Sequence, residues 1–169
     1  MKKWALISLA VLGGVTWTFW PRFHTATAQP EAALEISITI WSMQSIHSDW
    51  YREVSVEYDG TRIAMRLFED TGWWRGSNLY VHTSGVYVIH EGQNGCFAFT
   101  TDPTEFVSVP SGVCTKRSFV NHNAEQGSRF YRGLEYLGHF HETYRDPEDV
   151  RIRFSNSSQA PEIELPEML

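Results

Sequence analysis

His139-Phe140-His141 sets two imidazoles on one side of an extended chain, about 7 Å apart, a separation that chelates a metal when a neighbouring strand adds a third ligand. His82, His90 and Glu142 are side chains of the right type. The competing reading is a solvated strand face, because both histidines alternate against Leu134, Tyr136 and Phe140 and share their side with Glu135. The solvated face is preferred: no metal is assigned, and His139 and His141 are kept as weak candidates. Asp146, Glu148 and Asp149 offer oxygens to calcium, yet no EF-hand-type ligand loop accompanies them and an acidic turn accounts for them. The carboxylate pairs Glu57/Asp59 and Glu69/Asp70 fall at hairpin ends, with nothing to set two of them across a cleft. The sequence holds no Gly-x-Ser-x-Gly, phosphate loop or metalloprotease helix. These residues point away from catalysis, and no catalytic residue is assigned.

The remaining reactive side chains are Cys96 and Cys114, and their chemistry depends on the compartment. Met1-Lys2-Lys3 is followed by an uncharged run from Trp4 to Trp20, the basic start and apolar core of an export signal. Pro21 ends the run, and Ala26-Thr27-Ala28 has the small-x-small pattern that signal peptidase accepts. Residues 1–28 therefore read as a cleaved signal peptide, with a retained anchor as the alternative. As a helix the run spans roughly 25 Å at about 1.5 Å per residue, a little short of the ~30 Å hydrocarbon layer. In an exported chain the two cysteines pair, closing the loop "FAFTTDPTEFVSVPSGV", and such a link stabilises by roughly 3 kcal/mol. Two buried free thiols are the alternative. The expected location is secreted, extracellular. Asn156-Ser157-Ser158 is a glycosylation sequon, relevant in a eukaryotic source.

Charge narrows the partners. Without Lys2, Lys3 and Arg22 the chain has eleven basic residues against twenty acidic ones. Lys116 is then the sole lysine, and the arginines are scattered among acids, so no basic face exists to displace counterions from nucleic acid. A membrane partner is expected only through the N-terminal segment, if it is uncleaved.

The elements that must position these residues are strands. Leu34, Ile36, Ile38 and Ile40 alternate with Glu35, Ser37 and Thr39, and Val54, Val56 and Tyr58 repeat the period. Asp59-Gly60 then leads into Ile63, Met65 and Leu67 alternating with Arg62, Ala64 and Arg66, which predicts a two-residue hairpin. "NLYVHT", "GVYVIHE" and "GCFAFTT" follow around glycine-bearing turns, and strands return over 133–144 and 150–154 on either side of an Asp146-Pro147-Glu148-Asp149 turn. Residues 116–132 show no sustained period. The expected fold is all-β, a curved antiparallel meander forming a half-open barrel or two-layer sheet, behind an N-terminal signal helix. Residues 29–155 make one domain, and 156–169 form a disordered acidic tail.

A curled meander encloses either a filled core or a cavity. Candidates to line a cavity are Tyr58, Met65, Phe68, Trp73, Trp74, Tyr80, Tyr87, Phe97, Phe99, Tyr136 and Phe140, together with Trp41 and Trp50. Trp73 and Trp74 are adjacent between Gly72 and Gly76, so in extended chain one of them turns away from the core.

"VEYDGTRIAMRLFED", "LYVHTSGVYVIHEGQNGC", "FVSVP" and "EQGSRFYRGLEYLGHF", in that order, resemble the pattern of ependymin-related proteins, within the larger group whose fold is like that of the lipoprotein carrier LolA. The resemblance covers about residues 50–142. It implies a curved antiparallel sheet around a deep hydrophobic pocket, secretion, and binding of an apolar, lipid-like molecule without catalysis. Calcium enters only through this resemblance, and no cofactor is otherwise expected. The chain departs from the pattern by lacking an extra cysteine near the expected mature N-terminus and by its polar tail. The expected function is a secreted, non-enzymatic binding protein with an apolar small molecule or lipid in a β-sheet pocket. The alternatives are an extracellular protein-interaction module using an exposed aromatic sheet face and a metal-dependent enzyme.

Overall fold

A computed structural model describes residues 22–42, 50–67, 74, 76–114, 127–144 and 150–165. The segment before Arg22, the candidates Phe68 and Trp73, the pair Glu69/Asp70 and the turn at 146–149 lie outside the described residues. Among the described residues, ten strands form two antiparallel sheets. One has the order β1-β2-β3-β4, built from Arg22–Glu31, Leu34–Ser42, Trp50–Tyr58 and Thr61–Arg66. The other has the order β10-β9-β5-β6-β7-β8. Its strands are Ser77–His82 (β5), Tyr87–His90 (β6), Cys96–Thr101 (β7), Thr104–Val107 (β8), Leu134–Tyr144 (β9) and Val150–Asn156 (β10). β1 comes beside β10 and β4 beside β8, yet no ladder joins them, so the sheets pack without closing.

The period-2 pattern sets what each sheet buries. Ala26, Ala28, Ile36, Ile38, Ile40, Val54 and Val56 turn inward from the four-stranded sheet and meet Leu79, Tyr87, Ile89, Phe99, Phe140 and Ile152 in one cluster. These side chains fill the space between the sheets. The β3–β4 hairpin has the expected register, Tyr58 opposite Thr61, with Asp59 at φ 46° and Gly60 at φ 77°. Both turn residues are left-handed, which is why Asp-Gly sits there. A Cβ added at Gly60 would meet no atom within 4 Å, so the backbone angle alone resists substitution. Gly60→Val is expected to destabilise by about 1–3 kcal/mol in urea denaturation; an unchanged midpoint would mean the register is held elsewhere.

Four features differ from the sequence expectations. First, Ala26-Thr27-Ala28 lies inside β1, paired with β2, and both alanines are buried. Second, the expected strand at Cys96–Thr101 is joined inside the Cys96–Cys114 loop by a further strand, β8, in a hairpin where Thr100 Oγ1 donates to the carbonyl of Pro103. The disulfide itself forms, with Cα atoms 6.3 Å apart. Third, β9 carries a bulge: Leu79 pairs with Gly138 but Tyr80 with Tyr136. The extra residue shifts the parity, so Leu134 and Tyr136 share one cluster while Phe140 enters the other, and His139 is buried instead of solvated. Fourth, residues 157–165 follow β10 as turn and coil that returns onto the six-stranded sheet. Glu162 and Leu165 are buried there, where an acidic tail was expected to find nothing to pack against.

Candidate functional site

β5 and β6 are buried along both faces because the six-stranded sheet is covered on both sides. Its outer face carries a second cluster, Tyr80, Val88, Ala98, Val113, Tyr131, Leu134 and Tyr136. Cys96, Cys114 and Val109 pack on this cluster, so the disulfide pins the segment after β8 over the outer face.

Glu162 is the hub of this side. Its carboxylate accepts hydrogen bonds from Tyr80 Oη (2.8 Å), Ser128 Oγ (2.6 Å) and the backbone N–H of Arg129. Asn78 Nδ2 donates to Tyr80 Oη (2.9 Å) and to the carbonyl of Ile163 (2.7 Å). The Oδ1 of that amide faces His139 Nδ1 at 2.7 Å, so Nδ1 carries the proton. Ser128 Oγ in turn accepts from the backbone N–H groups of Phe130 (3.1 Å) and Tyr131 (3.0 Å), which folds the 127–133 loop into a tight turn. A single polar chain thus ties β9, β5, the 127–133 loop and the C-terminal segment together.

Beside the network lies a cleft of about 850 Å³, walled by the end of β5, the start of β9, the 127–133 loop and Ser157, Pro161 and Glu162. Tyr131, Leu134 and Tyr136 are among its buried lining, and Arg129 and Arg132 stand exposed at it. Burial first, and then the Glu162 carboxylate, push the Tyr136 phenol up to about 12 and raise Tyr80 well above the ordinary phenol range. Both hydroxyls are therefore protonated donors at neutral pH, suited to hold structure and poor as bases.

The sequence candidates divide between two places. Tyr87, Phe99 and Phe140 are core between the sheets, with Tyr58, Met65, Trp74 and Phe97 packed at its margins. Tyr80 and Tyr136 belong to the outer face instead. Trp41 stands half-buried on the other face of the four-stranded sheet, beside Tyr51. His139 and His141 do stack, with ring centroids 5.7 Å apart, but His139 is engaged with Asn78, and burial followed by the Arg153 charge lowers the His141 pKa. Among the described residues, the one group of three potential ligands gathered within 4.8 Å is His90, Cys96 and Cys114, whose sulfurs are joined in the disulfide. Glu57 and Asp59 are exposed at the β3–β4 hairpin. Asn156 is exposed, its Oδ1 accepting from the N–H groups of Ser158 and Gln159, both at 3.1 Å.

Of the cleft lining, Tyr136 is a pocket candidate and His82 a possible metal ligand in the sequence; the other residues that build it escape the sequence reading. Nothing local separates Glu162 from Glu164, and Ser128, Arg129 and Arg132 lie in a stretch without period. Comparison with known proteins finds no family model, no curated protein and no solved structure that matches the chain.

Proposed function

We propose that this chain is an exported, non-catalytic binding protein that takes an amphipathic, lipid-like molecule with an anionic end in the cleft on the outer face of the six-stranded sheet. The observation that carries this reading is the cleft itself, whose volume falls in the range of small-molecule sites and whose buried aromatic and aliphatic lining is flanked by Arg129 and Arg132. The Cys96–Cys114 disulfide supports export. A binding role without chemistry fits the polar groups present, since Glu162, Ser128 and Tyr80 are all engaged in holding loops. The likeness to ependymin-related proteins supports the ligand class. It suggests a pocket between the sheets, whereas the filled interior moves the proposed site to the outer face.

Burying roughly 300 Å² of an acyl chain yields about 7 kcal/mol before ordering costs, and a charge-assisted contact at the anionic end adds about 1.5–3 kcal/mol, which sets micromolar affinity as the upper range. Displacement of an environment-sensitive fluorescent fatty acid tests the proposal. Arg132→Glu, an exposed change beside the cleft, is expected to weaken binding about tenfold by removing a charge-assisted contact to the anionic end. An intact protein that binds no fatty acid or lysophospholipid, or a variant that binds as well as the parent, would sink the reading.

A further inference from the structure

β1 is part of the domain's core, and it starts two residues after the uncharged run Trp4–Trp20 ends. It pairs with β2 from Arg22↔Ser42 through Ala28↔Ile36 and sends Ala26 and Ala28, both at most 5% exposed, into the packed interior. Cleavage after Ala28 would remove most of this strand and uncover β2 as a long edge. Phe23 follows Trp20 by three residues, so the apolar run ends within about 10 Å of chain from the Phe23 side chain.

The outer face of the four-stranded sheet changes character along the strands. At the end where β1 begins, Phe23, Trp41 and Tyr51 form one cross-strand row, with ring centroids 5.9 and 6.0 Å apart. Phe23 is 62% exposed, and the Arg66 guanidinium lies 5.4 Å over the Tyr51 ring. The next rows are hydroxylated: Thr25 Oγ1 meets Thr39 Oγ1 at 2.9 Å, and Thr27 Oγ1 meets Ser37 Oγ at 2.8 Å. Glu53 stands half-buried in the Thr39 row, opposite Arg66, and at the far end, roughly 20 Å away at about 3.3 Å per residue, stand the exposed Glu35, Glu57 and Asp59, with the exposed Arg62 opposite Glu57. The face thus runs from aromatic to hydroxylated to charged with a net acidic balance, the order met on leaving a bilayer whose interface takes aromatic rings and arginine and whose anionic headgroups repel carboxylates.

We infer that the Trp4–Trp20 run is retained as a membrane anchor and that the Phe23–Trp41–Tyr51 row seats this end of the sheet on the lipid surface. The domain then stands on the bilayer with its acidic turn outward, and β1 connects anchor and core directly. The occupant is lipid and not a protein partner because the face's polarity is graded along one axis that begins where the apolar run ends.

The test uses the full chain, with residues 1–28 included, isolated from membranes and reconstituted in phosphatidylcholine/phosphatidylglycerol vesicles. Intact mass is expected to include residues 1–28. Thr25→Cys and Glu57→Cys, both exposed, are labelled separately with a small fluorophore, and quenching by a lipid carrying a nitroxide near its headgroup is compared. The probe at position 25 is expected to be quenched several-fold more than the probe at 57, and Phe23→Ser with Trp41→Ser is expected to shrink that difference. A mature chain starting at Gln29, equal quenching at both positions, or a difference untouched by the double change would each overturn the inference. In the last case the aromatic row belongs to a protein partner.

Discussion

Arg52→Ala is expected to destabilise the protein by about 3–5 kcal/mol, the range for stripping one member from a buried ion pair. Arg52 on β3 is fully buried, and its Nη2 donates to Glu91 Oε2 at 2.8 Å, both side chains being closed to solvent. The other carboxylate oxygen of Glu91 accepts from Ser77 Oγ, which accepts from the Trp74 indole N–H at 3.0 Å. The Arg52 guanidinium lies 5.0 Å over the Trp74 ring, which closes the circuit. This unit bridges the two sheets, since Arg52 belongs to the four-stranded one while Ser77 opens β5 and Glu91 follows the end of β6. Truncating Arg52 removes the cation against a carboxylate that stays out of water, whereas Arg52→Met with Glu91→Leu removes both charges and keeps the volume. The double variant is therefore expected to recover most of the loss. Urea denaturation of the two single variants and the double measures this; a double variant as unstable as Arg52→Ala would show that the loss does not come from the stranded Glu91 carboxylate.

Glu162→Ala is expected to release the C-terminal segment. Three donors lose their acceptor together, Tyr80 Oη, Ser128 Oγ and the N–H of Arg129, at roughly 1 kcal/mol each, so protection of that backbone amide is expected to fall about a hundredfold in hydrogen exchange. Glu162→Gln is expected to be milder, because its amide oxygen still accepts while its NH₂ turns toward a donor. The same change opens one wall of the cleft, so fatty-acid binding is expected to fall with it. Unchanged exchange at the Arg129 amide in Glu162→Ala would mean that the apolar contacts of Leu165 and Tyr136, and not this carboxylate, hold the segment.

Much of the strand pattern was legible because it is a local property. Ile36, Ile38 and Ile40, Val54 and Val56, and the Asp59-Gly60 turn each announce their role within a few residues, and the β3–β4 register follows from them. β1 was not legible, because a strand with a small-residue inner face and a peptidase site share the same Ala-x-Ala spelling at 26–28. Nor was the direction of His139. Gly138 in mid-strand hints at a bulge, but whether it flips the parity depends on how β9 pairs with β5, far earlier in the chain. A Cβ at Gly138 would sit 2.3 Å from the Phe154 ring, a requirement visible only once β10 lies alongside.

The sequence by itself therefore determined the all-β class, the two turn-joined strand series, the cysteine pair and the acidic balance, all of which follow from composition and from a period of two. The tertiary structure alone decided that the aromatic residues of β5, β6, β7 and β9 split between two faces, that Arg52 and Glu91 meet, and that Glu162 enters from the far end of the chain to close the cleft. Those outcomes rest on contacts between residues far apart in the chain, where the stability of a buried charge or an unpaired donor is set by which neighbour arrives and not by the residue's own type.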